Sequence, residues 1–535
     1  MAHGRLNIAF VALTVAIGGF LLGFDATVIS GVVPFIRDYF GLTGTAGDLK
    51  LGWAVSSLGW GAMAGNAVAG PLSDRFGRRG VLLGTALLFV VSSVLAATAT
   101  TFTGFVIARI VGGLAVGGAI LIAPMYIAEI SPAEKRGRLV SLNQLMIVIG
   151  ISASFFSNYF LLGVGDHNWR WMLGVQTLPA LAYFALLLFV PESPRWLLLK
   201  GRDEQALQVL SRVAGADQAQ TSLQQIRQSL AAKPVSRGFR GLLSSRLRFI
   251  MVIALGLAFF QQITGINAIF YYLPTIFAQA GGGMDDAFRQ AVLVGLVNVG
   301  MTFVAIWLID KLGRKPLLAV GVAGMALSLL TISAAFNGAT YQVNENTIAA
   351  VQQAGVPESL ISGLRALDGA SYDSEREYVA AVAGEVGVQQ IESHRQSFVS
   401  AALTMNAKLV LIAIIGFVAS FAISLGPVMW VLLSEIFPNE QRAAAISVAG
   451  FFNALVSASV TLVFPWELST FGSAGTFLIF GLFASAAFLF VLFVIPETKG
   501  RTLEELESEL MTPAGTGANR TDALRSADPA TPSIQ

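Results

Sequence analysis

Apolar stretches separated by short charged loops recur along this chain, and roughly 20 apolar residues suffice for a helix to cross a bilayer. The pattern predicts twelve helices, at 8–33, 51–71, 80–99, 104–127, 139–163, 171–190, 249–279, 289–309, 316–336, 407–433, 444–466 and 473–495. Glycines recur inside them (Gly18, Gly19 and Gly23 in the first; Gly112, Gly113, Gly117 and Gly118 in the fourth), which lets helices approach closely in lipid. Two segments interrupt the pattern. Residues 197–248 are polar and contain the helix-like QALQVLSRV and SLQQIRQSL, as expected of a linker with short amphipathic helices. Residues 338–405 are acidic. Their pieces NTIAAVQQAGV and SEREYVAAVAGEV have helical patterns, so the segment reads as a small ordered cap, with a disordered loop as the alternative.

Lysine and arginine orient the bundle, because short basic loops stay in the cytoplasm. RFGRR, EKRGR and DKLGRK all fall on one side of a twelve-helix count. Both termini and 197–248 are therefore expected inside, 338–405 outside, and 511–535 as a disordered cytoplasmic tail. The first apolar stretch is too long, and its basic start too thin, for a cleaved signal, so it reads as a retained helix.

The chain also repeats itself. DRFGRR (74–79) returns as DKLGRK (310–315), AEISPAEKRG (128–137) as SEIFPNEQRA (434–443), and PESPR (191–195) as PETKG (496–500). The later pairs are displaced further than the first, which places an insertion between Asp310 and Glu435. The expected architecture is an all-α membrane protein of two six-helix halves, 1–196 and 249–510, the second carrying the insertion. Two such parallel repeats build carriers with a site near the midplane.

Composition narrows the function. Hydrophobic residues are 55% of the chain and charged residues 12%, about half the charge of a soluble domain. A net charge of +2 favours no nucleic-acid partner. With no cysteine, thiol chemistry and disulfides are excluded. His3, His167 and His394 are scattered outside the spans, so no metal site is expected. No cofactor motif and no grouped nucleophile and base appear, so no enzyme is expected.

Longer motifs carry a resemblance. The paired D-R-x-G-R-R and D-K-x-G-R-K loops resemble the major facilitator superfamily. PESPRWL (191–197), QQITGINAIFYY (261–272), PETKGRTLEE (496–505) and RIVGGLAVGGAILIAPMYIAEISPAEKRGRLVSLNQ (109–144) resemble its sugar porter branch, closest to bacterial proton-coupled xylose and hexose symporters. The resemblance implies a monosaccharide substrate, proton coupling, the cell's inner (plasma) membrane and function as a monomer.

A neutral, hydroxyl-rich sugar calls for side chains that both donate and accept hydrogen bonds without a charge to desolvate. Intramembrane Gln144, Gln261, Gln262, Asn267, Asn298 and Asn453 fit. Each alone reads more readily as an interhelical hydrogen bond; the sugar porter pattern reverses that for the set and places them, with Trp430, at sugar contacts. The position after Asn453, often Trp in sugar porters, is Ala454 here, which leaves the choice of sugar open. Thr264-Gly265 offers a break in the seventh span. Tyr271 and Tyr272 read as an outer gate or as packing.

The loop motifs group Asp74, Arg75, Arg78, Glu129, Arg136, Glu192 and Arg195 in the first half, and Asp310, Arg314, Glu435, Arg442 and Glu497 in the second. They are read as a cytoplasmic latch that holds the halves together in one state and opens in the other. The alternative, basic anchoring alone, leaves the paired acids unexplained.

One charge stands out. Asp25 is the lone charged residue between Asn7 and Ile36, and a carboxylate mid-span costs roughly 2.5–3.5 kcal/mol. Arg109 is the other deep charge, and the two can neutralise one another. The resemblance pairs them as the proton-coupling site, since proton-coupled relatives carry Asp here where passive ones usually have Asn. A permanent salt bridge, a sodium symporter, a passive uniporter and a non-transporting sugar sensor are the competing readings.

Overall fold

The computed structural model describes residues 7–214, 216–231, 247–281, 283–438 and 441–499. The expected tail, 511–535, lies outside them. The first half comprises α1 (Ile8–Tyr39), α2 (Gly44–Phe76), α3 (Arg78–Thr98), α4 (Phe102–Ile130), α5 (Ala133–Leu161), α6 (Asn168–Gly174) and α7 (Thr177–Leu187). A linker follows with α8 (Pro194–Leu199), α9 (Asp203–Ala214) and α10 (Ala216–Ala231). The second half begins with a broken seventh span: α11 (Arg248–Ile263), α12 (Ile266–Tyr271) and α13 (Leu273–Gln279). It continues through α14 (Met284–Leu312) and α15 (Arg314–Asn337).

Nine helices among the described residues are long and apolar enough to cross a membrane. The three further expected spans are accounted for by their shapes. α2 is a single 33-residue helix of lower apolarity. The sixth span is divided at Val175–Gln176 into α6 and α7. The last two spans run together as one helix, Arg442–Val494, bent at Gly472, whose φ is +68°.

Two ends of the bundle can be distinguished by what they carry: the linker face, and the opposite insert face, where 338–406 sits. That insertion is folded. After β1 (Thr340–Gln342) come α16 (Glu345–Gln353) and α17 (Glu358–Arg365); after β2 (Ser371–Tyr372) come α18 (Glu375–Val386) and α19 (Val388–Ala402), and β3 (Leu403–Thr404) closes the unit. The antiparallel sheet has the order β2-β1-β3, with Tyr341 opposite both Tyr372 and Leu403. Each β-α-α repeat starts its first helix the same way: the Asn344 and Ser374 side chains accept from the N–H three residues on, satisfying donors the helix cannot. Both helices expected from sequence are present; the sheet was not foreseen. Its separate core contains Val351, Ile361, Leu364, Tyr378, Val382, Ile391 and Phe398. Phe398→Ala is expected to cost about 3–5 kcal/mol, read as selective protease cleavage within 343–402 while the membrane helices stay intact.

The second half ends with α20 (Ala407–Ile423), α21 (Leu425–Ile436) and α22 (Arg442–Val494). Glycine sets the closest crossings. A Cβ at Gly23 would overlap the Ile147 carbonyl, and one at Gly150 would overlap that of Phe20, so α1 and α5 touch backbone to backbone.

Candidate functional site

The seventh span breaks where Thr264-Gly265 predicts. Gly265 takes a left-handed φ of +86°, accessible to glycine at little cost. The break turns amides from both sides of it toward α22. Gln262 Nε2 donates to Gln261 Oε1 (3.2 Å) and Asn453 Oδ1 (3.1 Å). Asn453 Nδ2 donates to Gln261 Oε1 and to the Ala258 carbonyl, both at 2.9 Å. Asn267 Nδ2 donates to Gln262 Oε1 (2.9 Å) and Ser457 Oγ (2.7 Å). Gln261 Nε2 reaches the Leu425 carbonyl (2.7 Å) at the start of α21.

Four of the expected amides thus form one network across the seventh, tenth and eleventh spans. Ser457 belongs to it and was missed; its signal is its place four residues after Asn453, one turn along the same face. Asn298 is buried on α14, with its carbonyl accepting from Thr302 Oγ1 (2.8 Å). Gln144 is exposed on α5 and outside this network. Trp430 is 40% exposed on α21, with its ring 3.6 Å from where a Gly450 Cβ would stand. Polar groups of the first half also went unforeseen: Thr27 Oγ1 and Ser154 Oγ lie 2.6 Å apart, and Asn158 Nδ2 donates to the Val28 carbonyl (3.1 Å).

Asp25 and Arg109 meet as expected. Arg109 Nη1 donates to Asp25 Oδ1 at 2.5 Å, and both Nη atoms reach the Asp25 carbonyl at 3.2 Å. The residues are 2% and 1% exposed. Asp25 Oδ2 and Arg109 Nε are buried with no hydrogen-bond partner. Gly112 makes the room: a Cβ there would sit 2.8 Å from Asp25 Oδ2. Charges buried this deeply are tolerated only as a pair, and Asp25 Oδ2 is left as an unfilled acceptor.

At the linker face the loop motifs form two matching clusters. Arg78 grips Glu129 through Nε (3.0 Å) and Nη2 (3.1 Å) and reaches Asp74 (3.3 Å). Glu192 accepts from the backbone N–H of Arg78, Arg79 and Ser193. In the second half, Arg314 grips Glu435 through Nε (3.2 Å) and Nη2 (2.8 Å). Glu497 accepts from the N–H of Arg314, Lys315 and Lys499. The glycine of each motif is explained by the same contact. Gly77 and Gly313 have φ of +88° and +94°, and a Cβ on either would press into the glutamate carboxylate. Burial pushes the Glu192 carboxyl above its ordinary range despite those N–H groups and Arg78. Burial acts upward on Glu497 too, but N–H groups from Lys499, Arg314, Lys315 and Thr498 outweigh it and hold it low.

Other expected latch residues sit apart. Arg136 and Arg442 bind carbonyls, of Ala128 (3.1 Å) and Phe437 (3.2 Å), rather than carboxylates. Arg75 lies over the Phe76 ring, and Arg195 is exposed. The Asp310 side chain lies outside the described residues.

The pairs Asp25–Arg109, Arg78–Glu129, Arg78–Asp74 and Arg314–Glu435 each lie within one half. The halves instead meet toward the insert face. A Cβ on Gly52 would overlap the Leu462 carbonyl, and one on Gly295 would stand 2.9 Å from the Phe155 ring. The Phe155 and Phe270 rings lie 6.2 Å apart. Arg289 Nε donates to Tyr159 Oη at 2.9 Å. Tyr272 is buried there, within the field of the Arg37–Asp48 pair (2.6 Å). The bundle is closed at the insert face.

Two halves that meet at one end, with a broken helix and buried polar groups between them, define a multi-pass membrane carrier. The chain belongs to the sugar transporter family: the family described as "Sugar (and other) transporter" matches residues 11–354 and 391–510. The unmatched residues between fall inside the folded insertion. The family consists of transporters rather than enzymes.

Among curated relatives, the arabinose-proton symporter of Bacillus subtilis is 34% identical, covering 95% of this chain and 96% of its own. The D-xylose-proton symporter of Escherichia coli K12 is 34% identical over 93% and 94%, and the glucose transport protein of Synechocystis is 35% identical over 94% and 98%. The partially occluded inward open structure of the Escherichia coli xylose transporter XylE aligns with a TM-score of 0.71, at 32% identity over 92% of this chain and 99% of that one. The same protein bound to 6-bromo-6-deoxy-D-glucose gives 0.66 at 33% identity, over 94% and 99%.

Proposed function

We propose that the protein imports a monosaccharide together with protons, by alternating access of two rocking halves across the plasma membrane. The observation that carries the reading is the buried Asp25–Arg109 pair with one acceptor unfilled, in a chain whose second half presents a neutral amide network. Gln261, Gln262, Asn267 and Asn453 are the sugar-binding amides, joined by Gln144, Asn298 and Trp430 as the halves close. Residues 1–196 and 249–510 move as the two bodies, with both termini and the linker cytoplasmic, and the carrier works as a monomer. Arg78–Glu129 and Arg314–Glu435 brace each half separately at the linker face, where the bodies part in the inward-open state. The names of relatives supply the substrate class and the coupling ion: arabinose, xylose and glucose among sugars, proton among ions.

The test is uptake of a panel of pentoses and hexoses into vesicles under an imposed pH gradient. At least one sugar is expected to accumulate, with accumulation lost to a protonophore and unchanged when choline replaces sodium. Uptake that never rises above the external concentration would make the protein a passive uniporter. Binding without flux would make it a sensor.

A further inference from the structure

Three of the amides lie on the seventh span, and its break divides them: Gln261 and Gln262 on α11 before it, Asn267 on α12 after it. Asn267 Nδ2 donates back across the break to Gln262 Oε1 at 2.9 Å. How the three amides face one ligand therefore depends on the angle between α11 and α12. Gly265 permits the break, since a left-handed φ costs it little, but a residue with so much backbone freedom does not fix an angle.

The side chains around the break come from α22. α11 is seated on the part of α22 that forms span twelve: a Cβ at Gly256 would overlap the Phe490 ring, the Phe260 and Phe490 rings lie 5.3 Å apart, and those of Phe259 and Phe483 6.1 Å. α12 is held from span eleven, by the Asn267–Ser457 bond (2.7 Å) and, at the second joint after Tyr271, by the Tyr272 ring 5.0 Å from that of Phe464. Phe480 joins the two seats. Its ring occupies the place that a Cβ on Gly265 would take, and it stacks on Phe464 with centroids 6.0 Å apart and planes 11° apart. Phe464, Phe480 and Tyr272 are all buried, and rings packed to interior density cannot shift without losing contacts on both sides.

We propose that Phe480 is a positioning residue for sugar binding: lodged against Gly265 and stacked on Phe464, its ring fixes the angle between α11 and α12, and so the reach of Asn267 relative to Gln261 and Gln262. It need not touch the sugar. Without the ring, the first two amides stay with span twelve while Asn267 turns away from them about Gly265.

This inference rests on the reading of these amides as the sugar site, and its test separates the two. Phe480→Leu removes the flat ring and keeps much of its volume. Phe477→Leu is the matched control, a buried ring on the same helix that stacks on Phe336 of α15 instead (5.9 Å, 7°). Purified full-length protein is followed by backbone hydrogen exchange without ligand, and by calorimetric binding of D-xylose, arabinose and glucose. Exchange over 266–271, taken relative to 248–263, is expected to rise about fivefold in Phe480→Leu and to stay within about twofold of the parent in Phe477→Leu. Sugar affinity is expected to fall about fivefold in Phe480→Leu, the size of one neutral hydrogen bond, and less than about twofold in the control. In an Asn267→Ala background, Phe480→Leu should weaken binding less than about twofold further. The inference is overturned if Phe477→Leu matches Phe480→Leu in either measurement, or if Phe480→Leu keeps its full effect on binding without Asn267. If exchange follows Phe480 but Asn267→Ala alters the binding of none of the three sugars, the reading of the amides as the sugar site fails instead.

Discussion

Asp25→Asn is expected to abolish uphill accumulation of sugar while leaving counterflow exchange in place. Asparagine matches aspartate in shape and can still accept from Arg109 Nη1, the 2.5 Å contact seen here, so the local packing survives. What it loses is the ability to bind and release a proton. A potential of 100 mV is worth about 2.3 kcal/mol for each charge carried, or roughly 50-fold in concentration. The parent protein is expected to approach that accumulation in vesicles with coupling of one proton to one sugar; the variant should stop at equality. Uphill transport that survives the change would remove Asp25 from the coupling machinery.

Gly52→Val is expected to be as damaging by a mechanical route. Its Cβ would overlap the backbone oxygen of Leu462, and a carbonyl inside a helix cannot swing aside as a flexible side chain can. Overpacking of this kind costs typically about 1–3 kcal/mol, and each 1.4 kcal/mol is about tenfold in an equilibrium. The state closed at the insert face should lose roughly 5- to 140-fold in population, and net transport should fall with it while sugar still binds. The check is a distance between spin labels on Leu49→Cys and Phe471→Cys, both at the insert face and exposed. The chain has no cysteine of its own to label. An unchanged distance distribution with full transport would mean that α2 and α22 are not a closing surface.

Much of this arrangement can be read from residue order. The apolar stretches marked the spans because lipid admits few other sequences. Thr264-Gly265 marked the break in the seventh span because a left-handed φ selects glycine. The amide cluster was visible through Gln261, Gln262, Asn267 and Asn453, four polar side chains that hydrocarbon admits only with hydrogen-bond partners.

Other features left little trace. The β-strands of the insertion are two or three residues long, too short to show alternation, so only its helices were foreseen. Ser457 was overlooked because serine is common in spans, and its role depends on a neighbour one turn away. The loop arginines look alike in sequence, yet Arg78 and Arg314 grip carboxylates while Arg136 and Arg442 grip carbonyls. The difference lies in which chain segment passes beneath each one, and that is set by the fold as a whole.

The anchoring of Glu192 and Glu497 bears on how these loops tolerate change. Each glutamate is held mainly by main-chain N–H groups, which every amino acid but proline supplies. Positions 79 and 315 can therefore drift among most side chains without loosening the anchor, as the Arg79 and Lys315 of this one chain already illustrate. The substitutions that should break it are a proline at 79 or 315, or any side chain at 77 or 313. Half of what reads as a charge motif is thus a fixed shape of backbone, invisible to any count of acids and bases.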